Sequence, residues 1–157
     1  MLLRPVTVDD AAWIPRLADR SFAPWETDYG AAVARWMGQE NTFGWVAVDE
    51  DVGPVGFVLV ATLGLVGEGR PHVLEVVAIG VAPGARRQGI ARTLLARVIR
   101  HARTERGVLE VRLNVAADND AGRRLFEQAG FVVTREDDGT FGSGGRAVRM
   151  SWRPPRA

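Results

Sequence analysis

The stretch from Val73 to Val115 constrains the fold more than any other part of this 157-residue chain. Val73–Val81 is dense in Val and Ile. Beyond a short loop, the segment from Gln88/Gly89 to about Arg106 carries Leu94, Leu95, Val98, Ile99 and Ala102 on one helical face. Arg92, Arg97, Arg100 and Arg103 fall mostly elsewhere, and Leu109–Val115 is apolar again. Strand, tight loop, long amphipathic helix, strand makes a right-handed crossover whose two strands run parallel.

The flanking segments extend this unit. Leu2–Val6 predicts a strand, and Trp13, Ile14, Leu17 and Ala18 predict a helix capped by Thr7 or Asp9. Pro15 should bend or interrupt that helix. Ala31–Met37 predicts a short second helix, and Phe43–Val48 with Val55–Leu63 a hairpin turned by Asp49–Pro54. Asn119–Ala129 predicts another helix, with an Asp118/Asn119 cap and a Gly130–Phe131 stop. Strands near Phe131–Arg135 and Ala147–Trp152 then flank a Gly-rich turn. The hairpin makes the sheet mixed, so the class is α/β, or α+β in stricter usage. No repeat or linker divides residues 1–157, and one domain is expected. The longest weakly polar run, Val55–Gly67, is too short to span a membrane, and no signal-peptide pattern opens the chain. A soluble, cytoplasmic protein with no membrane partner is the expectation.

Composition narrows the chemistry. All 20 basic residues are arginine, there is no cysteine, and the two histidines are His72 and His101. Phosphate-loop and Schiff-base lysines, disulfides, cysteine nucleophiles and two-histidine metal motifs are therefore excluded, and no metal is expected. A formal charge of +1, and an arginine-rich helix without interleaved aromatics, argue against nucleic acid as a partner. Carboxylates, hydroxyls, backbone amides and arginines remain. The charges are unevenly placed: residues 1–85 hold five arginines and eleven acids, residues 86–124 ten arginines and four acids. The first segment therefore attracts cations and the second anions.

The loop Ala82–Ala91 places Arg86, Arg87 and Gly89 where the long helix starts. Unpaired N–H groups and the positive end of the helix dipole can hold an anion there. An ordinary strand-to-helix turn with solvated arginines would read the same. The string Gly142-Ser143-Gly144-Gly145-Arg146-Ala147 imitates a dinucleotide fingerprint, but a strand follows it, which suggests a flexible hairpin tip.

Arg86-Arg87-Gln88-Gly89-Ile90-Ala91, after Gly80-Val81-Ala82-Pro83, resembles the acetyl-CoA signature of the GNAT N-acetyltransferase superfamily. The segment from Asn119 to Phe131 resembles that superfamily's second motif, an asparagine-led helix ending in Gly-Phe. The close match covers residues 73–131. The resemblance implies a mixed, mostly antiparallel sheet with a splayed parallel strand pair, flanked by about four helices. It implies acetyl-CoA as acyl donor, an amine acceptor and a possible homodimer. The pantetheine arm would enter between the splayed strands, against the main chain of Ile79 and Val81, with Gly80 as the bulge that opens the pair. The backbone from Arg86 through Gln88, Gly89, Ile90 and Ala91 to Arg92 would cradle the pyrophosphate, with Thr93 a weaker candidate. Asn119 would bind the arm, and Phe126 would pack beside it.

Acyl transfer to an amine needs a general base. Glu75 is the candidate, an acid inside an apolar run whose neighbours favour its neutral form. It stands fourteen residues before Gly89, where the histone-acetyltransferase branch that this chain resembles has its catalytic glutamate. A cross-strand ion pair with Arg112 is the structural alternative. His72 is a second base candidate, expected to be exposed and inert. Phe126 occupies the position where many members have an acid-catalytic tyrosine, and the sole tyrosine, Tyr29, is distant in sequence. No general acid is assigned, and a non-catalytic acyl-CoA-binding module is the competing reading. Trp25 and Tyr29 are the candidate acceptor-side residues. Trp36 clusters with them in that segment, with a core position as the alternative, and the Asp137–Asp138 pair reads as solvated surface.

Overall fold

The computed structural model describes residues 1–64, 67 and 69–155, so the 1–157 span and the run through Gly67 include residues outside those described. Seven strands form one sheet: β1 (Leu2–Pro5), β2 (Thr42–Asp49), β3 (Gly53–Gly64), β4 (His72–Val81), β5 (Val108–Ala116), β6 (Val132–Arg135) and β7 (Ala147–Trp152). Their order is β1-β2-β3-β4-β5-β7-β6. Only β4–β5 is parallel; the other neighbours run antiparallel. Among the described residues the α-helices are α1 (Trp13–Phe22), α2 (Tyr29–Met37), α3 (Ile90–Thr104) and α4 (Asp120–Gln128).

Each face of the sheet carries its own core. On one, α3 buries Ile90, Leu94, Leu95, Val98, Ile99 and Ala102 against Val58, Val60, Leu74, Val76, Val111 and Leu113, joined by Phe126 of α4. On the other, Ile14, Leu17 and Ala18 of α1 and Val33 of α2 meet Val46, Phe57, Leu59, Val77 and Ala78. Each buried Leu, Ile, Val or Phe contributes roughly 1.5–3 kcal/mol of transfer free energy. Among the described residues, no helix is long and apolar enough to cross a membrane.

Two local expectations are corrected. Thr7 caps a separate 3-10 turn, Val8–Asp10, and α1 starts only at Trp13. Pro15 thus falls in the first turn of α1, where its missing N–H would have had no intrahelical partner, and it does not break the helix. His72 is buried rather than exposed, with Nδ1 2.7 Å from the Arg70 carbonyl and Nε2 3.7 Å from Glu105. The end of α4 follows expectation: Gly130 N donates to Glu127 O and Phe131 N to Phe126 O, both at 3.0 Å.

Candidate active site

β4 and β5 pair only at their beginnings. The parallel register runs His72–Val108, Val73–Glu110, Leu74–Val111 and Glu75–Arg112, and ends there. Against β3, Leu59 faces Ala78 while Val60 faces Val76, so Val77 is the extra residue of a bulge. Val77 and Ala78 consequently pack on the same side of the sheet. The expected bulge at Gly80 is therefore displaced to Val77. The glycine at 80 answers a different constraint: a Cβ there would lie 3.0 Å from both the Phe57 ring and Ser21 Oγ.

Beyond Glu75 the strands part over a cleft of about 540 Å³. Main chain and side chains from Glu75 to Val81 form one wall, and Leu113–Ala116 with Asn119, Ala121, Gly122, Leu125 and Phe126 the other. Ser21, Phe22, Trp25, Tyr29 and Trp36 line it from the α1–α2 side, and Phe141 from the β6–β7 connection. Glu75 and Arg112 alternate with inward-facing Leu74, Val111 and Leu113, which puts both on the α1–α2 face. Arg112 Nε donates to Glu75 Oε1 at 3.1 Å, so the alternative ion pair is present. The wholly apolar setting expected for Glu75 is thus interrupted by a guanidinium, and its side chain is about a quarter exposed (28%).

The segment between α1 and α2 straps the cleft. Trp25 Nε1 donates to Asp118 Oδ1 at 2.9 Å, reaching the loop that follows β5. Gly142 N donates to Glu26 Oε2 at 2.7 Å, and Ser143 N to Trp25 O at 3.0 Å. The Gly-rich tip, expected to be a flexible hairpin end, is therefore bonded to this strap and brings Phe141 into the cleft. Tyr29 opens α2, its ring stacked on Phe22 at 4.2 Å between centroids, and its hydroxyl donates to the Val77 carbonyl. Burial, with the carboxylates of Glu75 and Glu26 nearby, pushes the phenol up to about 12.

At the other end lies the loop Ala82–Ala91, expected to hold an anion. Arg87 and Gly89 both have positive φ, 66° and 75°, beside an extended Arg86. A non-glycine residue in this region is uncommon and carries backbone strain. Gly89 caps α3 without any side-chain cap, leaving the N–H groups of Ile90, Ala91 and Arg92 open to an anion. Nothing lies within 4 Å of where a Gly89 Cβ would stand.

The other expected residues divide. Arg86 lines the cleft and donates from Nε to the Val81 carbonyl at 3.3 Å, which engages an oxygen expected to face pantetheine. Arg92 reaches across to Gln128 at 2.6 Å, and Gln88 is exposed. The Thr93 hydroxyl bonds back to Gly89 O within its own helix. Asn119 lines the cleft while its Oδ1 caps α4 at Gly122 N. Phe126 is buried edge-on to Phe131 and still lines the cleft. Trp36, open between the acceptor side and the core, lines the cleft. Asp138 is not simply solvated: burial opposes its ionisation, yet Arg135 and Arg149 hold it below the usual carboxylate range. His72 is not among the cleft residues. Ser21, Phe22, Asn114 and Phe141 were not anticipated; periodicity marks none of them, because only the pairing of distant segments brings them together.

The architecture matches that of Arabidopsis thaliana NAA60, solved with a bisubstrate analogue, at TM-score 0.78 and 19% identity over 99% of both chains. It also matches Vibrio cholerae spermidine N-acetyltransferase, solved with CoA and spermine, at TM-score 0.70 and 21% identity over 97% of this chain and 94% of that one. The fold is that of the N-acetyltransferases. The model of the Acetyltransferase (GNAT) family matches residues 11–131, and the chain belongs to that family. Mycothiol acetyltransferase of Kocuria rhizophila is 44% identical over 61 residues, 39% of this chain but 20% of that protein. The matched stretch thus spans a fifth of that relative's length.

Proposed function

We propose that this chain moves an acetyl group from acetyl-CoA to a primary amine by direct attack, with Glu75 as general base. One observation carries the reading: parallel pairing stops at Glu75–Arg112, leaving Glu75 in a cleft that leads toward the Ala82–Ala91 loop. The positive-φ cradle and the uncapped first turn of α3 suit a pyrophosphate. Backbone from Arg86 to Arg92 would hold it, and the main chain of Ile79 and Val81, with Asn119 and Phe126, would line the pantetheine arm. Ile79 N–H would face the developing oxyanion. With one oxygen of Glu75 held by Arg112, the other receives the amine proton. The cleft's aromatic end, from Trp25, Tyr29 and Trp36, would hold the acceptor.

A thermal-shift titration with acetyl-CoA, followed by CoA release over a panel of amines, tests this. Glu75→Gln should lower turnover at least about a hundredfold while keeping the acetyl-CoA shift. Unchanged turnover would remove Glu75 from the chemistry. The second reading, a non-catalytic acyl-CoA module, draws on Phe126, which is buried against Phe131 and has no proton to give. A strong shift without CoA release on any amine would favour it.

A further inference from the structure

Among the described residues lining the cleft, few side chains could put a proton on a leaving sulfur. The Arg86 guanidinium does not give up its proton in proteins, Phe126 has none, and the carboxyl of Glu75 already serves the amine. Ser21 Oγ is buried without a partner, but an aliphatic hydroxyl is a far weaker acid than a phenol. That leaves the hydroxyl of Tyr29. It reaches from the first residue of α2 to the Val77 carbonyl. Val77 has no partner in the β3 register, and β5 has already parted from β4 at this level. Tyr29 and Val77 both line the cleft, and Val77 lies two residues along β4 from both Glu75 and Ile79. Stacking on Phe22 fixes the Tyr29 ring.

We propose that Tyr29 is the proton relay of this acyl transfer, handing its phenolic proton to the sulfur of CoA while receiving the proton that Glu75 took from the amine. The inference rests on the transferase reading above. The step balances. The amine nitrogen bonds to the acetyl carbon, and Glu75 removes one N–H proton. As the carbon–sulfur bond breaks, its electron pair stays on sulfur, which takes the Tyr29 proton and leaves as a thiol. The proton on Glu75 passes to the phenolic oxygen, directly or through one water. Amide and thiol leave, and both side chains return to their starting states with no oxidant or further reactant.

Magnitude separates a relay from a lone acid. A phenol pushed up to about 12 cannot by itself hold a thiolate protonated, since an ordinary thiol ionises near pH 8.5. A carboxylic acid can, and the Glu75 charge is close enough to Tyr29 to raise the phenol. Passing the Glu75 proton through Tyr29 makes the net transfer downhill and never accumulates phenolate.

Tyr29 is the chain's only tyrosine, so biosynthetic replacement with trifluorotyrosine changes this position alone. The expected result is an alkaline limb on kcat between pH 7 and about 10 that the unlabelled protein lacks, because the acidified phenol ionises and the relay fails. Tyr29→Phe should lower kcat at least tenfold, with KM for acetyl-CoA little changed and Tm lower by a few degrees for the lost bond to Val77. Superimposable pH profiles, a kcat within twofold for Tyr29→Phe, or a loss confined to acceptor KM would overturn the relay. Should Tyr29→Phe fail to fold, the fluorinated protein still decides. If unlabelled wild type releases no CoA with any amine, the transferase reading falls and the relay with it. Wild-type turnover with an insensitive Tyr29 overturns the relay alone.

Discussion

Glu75 and Arg112 are the last residues to pair across the parallel strands, and their side chains meet at that same point, Nε to Oε1 at 3.1 Å. The guanidinium therefore fixes the carboxylate where the sheet opens. Both groups are about a quarter exposed, so the pair contributes little to stability, on the order of 1 kcal/mol or less. Its value is geometric. Arg112→Ala should lower kcat roughly tenfold by letting Glu75 leave its position, with Tm and the acetyl-CoA shift nearly unchanged. Steady-state kinetics beside a thermal-shift titration check this; full activity would show that Glu75 needs no such support.

Gly89 separates backbone strain from steric blockade. Its φ of 75° is unfavourable for any residue with a Cβ, yet the space around it is empty in the protein. Gly89→Ala should cost about 1 kcal/mol of stability from the left-handed backbone. The same methyl would stand over the cradle, so acetyl-CoA affinity should fall tenfold or more. Denaturation without ligand and calorimetric titration with it read the two effects independently. A stability loss with unchanged affinity would place the pyrophosphate elsewhere.

The strap gives a different signature. Trp25 Nε1 to Asp118 Oδ1 ties the α1–α2 segment to the loop before α4, on the aromatic side of the cleft. Losing one such hydrogen bond costs about 1 kcal/mol. Asp118→Ala should therefore raise acceptor KM roughly fivefold while leaving acetyl-CoA KM alone. An effect on acetyl-CoA instead would assign the strap to the donor side.

The parallel crossover is legible in the sequence because it depends on neighbours along the chain, a helical period between two apolar runs; the glycine at a helix start and the acid in an apolar run, which make the loop and Glu75 candidates, are local signals of the same kind. What the sequence hid depends on pairing. The bulge sits at Val77 because β3 and β4 slip register there, while Gly80, the residue with the composition of a bulge, answers a close approach by Phe57 and Ser21. Tyr29 lies 48 residues from Val77 and Glu26 lies 116 from Gly142, so no local pattern could join either pair. His72 looked like a loop residue beside Pro71, but it opens β4 under Glu105 and is buried. A cap at Thr7 or Asp9 would put Pro15 in a helix interior, whereas α1 begins at Trp13 and holds it in the first turn.

Asp10 anchors the entry to α1, away from the cleft. Arg4 donates to both its oxygens at 2.8 and 2.9 Å, and Thr7 N and Trp13 Nε1 each add a bond at 2.8 Å. The side chain is 1% exposed. The Arg4 hydrogen bonds, helped by Thr7 and Trp13 and opposed by burial, lower its carboxyl to about 2. A carboxyl held below its unfolded value stabilises the fold fully above that value, near 3.9, and loses the contribution as pH falls through about 2. The shift corresponds to roughly 2–3 kcal/mol. Asp10→Asn should therefore be less stable than wild type by about that amount at pH 7, with the gap narrowing between pH 4 and 2. Urea denaturation at both ends of that window checks it. Equal gaps at pH 7 and pH 2 would mean that shape, rather than the charge on Asp10, holds Arg4, Thr7 and Trp13 together.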